Sequence, residues 1–185
     1  MSFSSKILII SLVIGLTLSY SMYEKKKFSS MLNVGESSPI LQTMPSFQID
    51  LVLSEGKVSQ EDFKSSKATF VHFWGTWCAP CEHEFPDFLK FAKKFESDNV
   101  KFLLLAVNDD NKKIKKFLKR FKDLPSNVVI AHDSTGVSMT TFGTVKVPET
   151  YLFDSSFRNL KKFIGPQSWG MEAFAPRVRR LIFGH

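Results

Sequence analysis

The sequence predicts an α/β domain built on a central mixed β-sheet flanked by helices, and three observations carry that prediction. Thr69-Phe70-Val71-His72-Phe73-Trp74 is a strand-length run of β-branched and aromatic residues. Glu82 to Phe95, shortly after it, has Phe85, Phe88, Leu89, Ala92 and Phe95 at helical spacing. Val100 to Val107 is then a nearly continuous apolar run, as in a central parallel strand. Strands that alternate with helices early and pair by short turns late give a mixed sheet with helices on both faces. At 185 residues with 43% hydrophobic content, the chain suffices for one such domain plus appendages.

Taken in order, Ile7 to Tyr23 is a run of seventeen residues without a charge, preceded by Lys6 and followed by Glu24 and Lys25 to Lys27. It reads as a membrane-targeting segment over residues 1–23, either a retained single-pass signal-anchor or a cleaved signal peptide; Ser19-Tyr20-Ser21 offers a loose cleavage site. The lysine run opposes an outward-facing domain, because basic residues prefer the cytoplasmic side. Residues 24–44 read as a polar linker, and residues 45–185 as the domain.

Phe47 to Leu53 and Lys57-Val58 predict two short strands turning at Glu55-Gly56, with Ser59 and Asp62 capping a short helix. The helix after Cys81 contains Pro86, which should kink it. Asn108 to Asn111 supplies turn and cap chemistry for a helix over Lys112 to Lys122, whose Ile114, Phe117, Leu118 and Phe121 form an apolar stripe among six lysines and Arg120. Val128 to His132 is a strand, and Asp133 to Gly136 a turn opening a short helix from Val137 to Thr141. Strands at Thr150 to Phe153 and Leu160 to Ile164, then a helix from Ser168 to Phe183, complete the domain.

The net charge of +7 is partly that of the lysine-rich amino-terminal region, and the remainder is mild. The 19 phenylalanines are spread along the chain, which favours a packed core over a stacking platform, and no nucleic-acid partner is expected. The basic helix reads first as a solvated surface helix, and second as a dock for anionic headgroups or an acidic protein. No glycine-rich loop of phosphate-binding spacing occurs, and no cofactor is expected.

Cys78 and Cys81 are the only cysteines, so any thiol chemistry occurs at Trp77-Cys78-Ala79-Pro80-Cys81. Two cysteines two residues apart can close a small disulfide ring or supply half a zinc site, but no third or fourth cysteine completes the metal version. At the start of a helix, unpaired backbone amides and the dipole stabilise a thiolate, which makes Cys78 the nucleophile. Cys81, one turn deeper, is placed to attack the mixed disulfide, with Pro80 stiffening the ring. A purely structural disulfide is the plainer alternative, but so short a loop constrains the unfolded chain little.

With Glu84 and Pro86 following Phe73-Trp74-Gly75-Thr76-Trp77-Cys78-Ala79-Pro80-Cys81, the stretch resembles the active site of thioredoxin-like proteins. More narrowly, it is similar to the membrane-anchored, extracytoplasmic TlpA-type thiol:disulfide oxidoreductases, including those of cytochrome c maturation. Val34 to Pro39 and Gly56 to Phe63 resemble that group's amino-terminal β extension, and Val147-Pro148-Glu149-Thr150-Tyr151-Leu152-Phe153-Asp154 resembles its proline loop. The resemblance implies a thioredoxin fold and a cis bond between Val147 and Pro148, with Val147, Pro148 and Glu149 beside the dithiol where an extended substrate pairs. It implies a glutamate near the site at Glu84, whose plainer reading is an exposed helix carboxylate. His72 departs from the pattern, standing where thioredoxin has a buried aspartate and the TlpA-type group an asparagine. It reads either as a relay for the Cys81 proton or as a core histidine with a backbone partner.

The resemblance implies a disulfide-bearing client protein such as apocytochrome c and a membrane oxidoreductase as electron donor. It places the domain on the periplasmic side of a bacterial inner membrane, or free in the periplasm if the segment is cleaved. A disulfide-forming oxidase is the nearest alternative, since direction depends on reduction potential. A copper-binding protein using Cys78, Cys81 and His83 or His132 is a second, and a redox-inert scaffold binding through the basic helix a third.

Overall fold

The computed structural model describes Ser5, residues 11–24 and residues 41–184. Residues 11–24 form a helix, α1, with exposed side chains. Among the described residues no helix is long and apolar enough to cross a membrane. Ile7 to Ile10 of the expected targeting segment, the basic Lys25 to Lys27, and the linker as far as Ile40 lie outside the described residues.

The domain is a seven-stranded mixed sheet: β1 (Gln48–Leu51), β2 (Lys57–Ser59), β3 (Ala68–Trp74), β4 (Val100–Val107), β5 (Val128–Asp133), β6 (Glu149–Asp154) and β7 (Asn159–Ile164). Their spatial order is β2-β1-β5-β4-β3-β6-β7. The parallel centre of β3, β4 and β5 is continued by antiparallel β6 and β7 on one side and β1 and β2 on the other. All seven residues of β3 are buried, which is why its sequence is apolar on both faces.

Side chains alternate across a strand, so β3 feeds two cores. Ala68, Phe70, His72 and Trp74 point to one face. There they meet α2 (Ala79–Lys93), α3 (Asn111–Leu118) and α5 (Phe174–Phe183) through residues such as Phe85, Phe88, Phe91, Phe117 and Val178. Val71 and Phe73 point to the other, packing with Phe63, Tyr151, Phe153 and Phe142 of α4 (Val137–Phe142). The phenylalanines are core residues here: Phe70 stacks on Phe102 with ring centroids 4.6 Å apart, and Phe91 meets Phe70, Phe102 and Phe174 edge-on.

Three boundaries differ from the sequence reading. Leu41 to Met44, assigned to the linker, pack with the domain: Thr43 bridges to Arg158, the Gln42 carbonyl accepts from Asn159 N–H at 2.9 Å, and Met44 is buried. Helix α3 stops at Leu118 rather than Lys122, because the chain tightens there: Arg120 and Phe121 N–H donate three residues back to Phe117 and Leu118 carbonyls. This brings Phe121 against Phe85 and Phe117. The last helix, α5, starts at Phe174 instead of Ser168, since the preceding residues turn to bury Trp169. The Glu55-Gly56 turn, the Ser59/Asp62 cap and the Asp110 cap of α3 form as their residue types dictate.

Candidate active site

Strand β3 ends at Trp74, and the chain turns through Gly75, Thr76 and Trp77 into α2, whose N-cap is Cys78. Asp109, just beyond β4, holds this turn: its carboxylate accepts from Thr76 N–H at 2.5 Å and Thr76 Oγ1 at 2.9 Å. Trp77 is 56% exposed, and its Nε1–H donates to the Val107 carbonyl at 3.1 Å. The indole lies so close over Gly75 that a β-carbon there would come within 2.5 Å of Nε1.

Cys78 and Cys81 form a disulfide with an S–S distance of 2.09 Å. Cys78 Sγ also accepts from the Cys81 backbone N–H at 3.3 Å, one of the amides a helix start leaves unpaired. Pro80 lies in the first turn and costs no hydrogen bond there. Cys81 is fully buried while Cys78 retains 5% exposure, which makes Cys78 the more accessible of the two.

Glu84 lies one turn beyond Cys81 on the buried face of α2, with only 5% exposure, which excludes the exposed-carboxylate reading. Its Oε2 accepts from Gln167 N–H at 2.8 Å and Trp169 Nε1–H at 2.9 Å. Burial pushes its carboxyl up to about 7, and those two donors oppose the rise. His72 is fully buried, stacked on Phe88 at 4.3 Å, with Nδ1 2.8 Å from Thr150 Oγ1 and Nε2 3.8 Å from Glu84 Oε1. Burial lowers its imidazole to about 3, so it is neutral at physiological pH. It is a core histidine whose Nδ1 has a side-chain rather than the expected backbone partner, and its Nε2 faces Glu84.

The Val147–Pro148 peptide bond is cis. Pro148 is buried one residue beyond the last β3/β6 pair, Phe73 with Glu149, and therefore lies alongside Trp74 at the end of β3 from which the cysteine turn emerges. Val147 is half-buried and packs against both cores.

Glu149 does not join Glu84. Register places it opposite Phe73, on the sheet face away from α2, while Thr150 falls opposite His72 on the α2 face. The Glu149 carboxylate is 3.1 Å from Lys162 Nζ and 3.2 Å from the Tyr151 hydroxyl, all buried or nearly so. Burial works against the Lys162 charge, but the hydrogen bonds to Tyr151 and Glu149 outweigh it and hold its pKa above the ordinary lysine value.

Sequence reading missed Thr150, Gln167, Trp169, Asp109 and Lys162. Alternation along β6 held the signal for Thr150, given the pairing with β3. The other four are set by long-range packing. Among the described residues no group of three or more His, Cys, Asp or Glu side chains could hold a metal ion, and His132 Nε2 lies 2.9 Å from the Asp109 carbonyl.

The chain matches the AhpC/TSA family over residues 40–158. It is 28% identical over 162 residues to the thiol-disulfide oxidoreductase ResA of Bacillus cereus, covering 88% of this chain and 86% of that protein. Against ResA of Bacillus subtilis it is 25% identical over 162 residues, covering 88% and 85%. Among solved structures, a putative thiol:disulfide interchange protein DsbE from Chlorobium tepidum is similar with a TM-score of 0.66 at 21% identity, covering 76% of this chain and 96% of that one. StoA from Bacillus subtilis is similar with a TM-score of 0.57 at 23% identity, covering 77% and 98%. At these identities the structural likeness carries the fold alone.

Proposed function

Since the chain belongs to the AhpC/TSA family and has a thioredoxin-like fold, we propose that it is a thiol-disulfide oxidoreductase that reduces client disulfides through Cys78 and Cys81. The observation that carries the reading is the pair itself: Cys78 at the helix start, its sulfur facing a backbone N–H, with Cys81 beneath it. A helix start favours the thiolate, and partial exposure leaves it accessible.

In the reduced protein the Cys78 thiolate attacks one sulfur of the client disulfide, forming a mixed disulfide and expelling the client's other sulfur as thiolate. Cys81, once deprotonated, attacks Cys78 Sγ; the Cys78–Cys81 disulfide forms and the second client thiolate leaves. Two electrons pass to the client, and the protein is left oxidised. Glu84 is the group that receives the Cys81 proton. The two residues are three apart on one helix face, and a carboxyl held at about 7 exchanges a proton near neutrality. Pro148, with Val147, forms the ledge on which an extended client segment pairs. Glu149 acts on the opposite sheet face, fixing the proline loop through Lys162 and Tyr151.

The amino-terminal apolar segment supports tethering outside the cytoplasm of a bacterial cell, or release into the periplasm on cleavage. A dithiol there needs a membrane oxidoreductase to renew it, and the ResA-like sequence supports an apocytochrome c client. The test is a Cys81→Ser variant, in which Cys78 should hold its client as a covalent mixed disulfide. Client adducts lost on adding Cys78→Ser support the reading, and no adduct from reduced protein with disulfide-bearing clients overturns it. Titration against glutathione fixes direction, a strongly oxidising potential favouring an oxidase.

A further inference from the structure

Glu84 Oε1 and His72 Nε2 are buried and, among the described residues, neither has a hydrogen-bond partner. They face each other at 3.8 Å, too long for a formed hydrogen bond and short enough for a small turn of the carboxylate to close it. Buried polar atoms are nearly always satisfied, so two such orphans face to face point to a contact made in another protonation or redox state. The other atoms of both groups are fixed. Glu84 Oε2 is held by Gln167 and Trp169, His72 Nδ1 is paired with Thr150 Oγ1, and Phe88 stacks on the imidazole.

Resting on the thiol-exchange reading above, we infer that His72 is a positioning residue for the Glu84 proton, accommodating both forms of the carboxyl by changing tautomer. With Glu84 ionised, the imidazole carries its proton on Nε2 and donates it to Oε1, while Nδ1 accepts from the Thr150 hydroxyl. When Glu84 takes a proton on Oε1, that O–H donates to a bare Nε2, and the imidazole proton sits on Nδ1, donating to Thr150 Oγ1. The pair gains one proton in all, and the histidine stays neutral throughout. A threonine hydroxyl both donates and accepts, so it serves either tautomer.

The groups facing Glu84 from each packed element are few. Among the described residues, strand β3 brings His72, the segment before α5 brings Gln167 and Trp169, and Cys81 and Phe88 lie one turn to either side on the same buried face of α2. His83, Asp87, Lys90 and Lys94 border the same groove, but His83, Lys90 and Lys94 are exposed and Asp87 is paired with Lys90. The burden of satisfying Oε1 therefore falls on His72.

The wild-type full-length protein provides the first test. Nitrogen NMR of the imidazoles, assigned with a His72→Gln variant, should show the His72 proton passing from Nε2 to Nδ1 over the pH range in which the infrared band of the protonated Glu84 carboxyl appears. That band is identified by its loss in Glu84→Gln. An unchanged tautomer across that range overturns the inference. The second test is the band's midpoint in His72→Leu, which lacks both donor and acceptor. A hydrogen bond to a charged group is worth more than one to a neutral group, so the midpoint should rise by about one pH unit. His72→Gln, whose amide donates or accepts at the Nε2 position, should restore it. An unmoved midpoint in His72→Leu, or an equal rise in both variants, also overturns the inference. Neither readout depends on turnover, so failure here is separable from failure to trap a client at Cys78.

Discussion

Glu84→Gln tests the energetic consequence of burying a carboxyl beside the dithiol. In the folded protein the group is held at about 7, against an ordinary value of 4.5. A folded-state value above the unfolded one means that the native protein binds the extra proton between the two. The group's stabilising contribution is therefore fully present below pH 4.5 and is lost as pH rises through about 7. A gap of about 2.5 units at about 1.4 kcal/mol each makes the loss about 3 kcal/mol by about pH 8. Glutamine removes the titration while its amide oxygen still accepts from Gln167 N–H and Trp169 Nε1–H. Relative to wild type, the variant should gain about 3 kcal/mol between about pH 4 and about pH 8. Urea unfolding of both oxidised full-length proteins across that range measures the difference. Other titrating groups are common to both proteins and cancel, so a difference that stays flat with pH refutes the argument.

Two further predictions concern groups sequence reading did not find. Lys162→Met leaves Glu149 buried with only the Tyr151 hydroxyl and should cost about 3–5 kcal/mol in urea unfolding, most of it recovered by adding Glu149→Gln. Asp109→Ala strips both hydrogen bonds from Thr76 and should cost about 1–3 kcal/mol, together with a several-fold fall in the rate at which Cys78 is alkylated in the reduced protein.

The fold was largely legible because its central strands announce themselves. β3 is buried along its length and β4 all but at Lys101, so both read as nearly continuous apolar runs, and the Ser59, Asp110 and Gly136 punctuation carries its own local hydrogen bonding. The cysteine pair was legible for the same reason, since its geometry depends on neighbours within one helical turn. The surroundings of Glu84 were not. Its two donors come from residues 83 and 85 positions away, and the turn that delivers them interrupts what periodicity reads as one long helix. His72 shows a different limit. Its burial follows from its strand, but its partners required knowing that β6 lies antiparallel beside β3 in one register. The same register turns Glu149, expected beside the dithiol, to the sheet face away from Glu84.

That separation has a consequence for how such a protein changes over generations. A sheet of tightly packed side chains stands between two buried carboxylates, Glu84 on the α2 face one turn beyond Cys81 and Glu149 on the other face directly after Pro148, to which the roles proposed above assign proton transfer and support of the proline loop. Substitutions at distant sites without shared partners combine nearly additively. Chemical tuning and client preference can then drift along separate mutational paths, each selected without forfeiting the other.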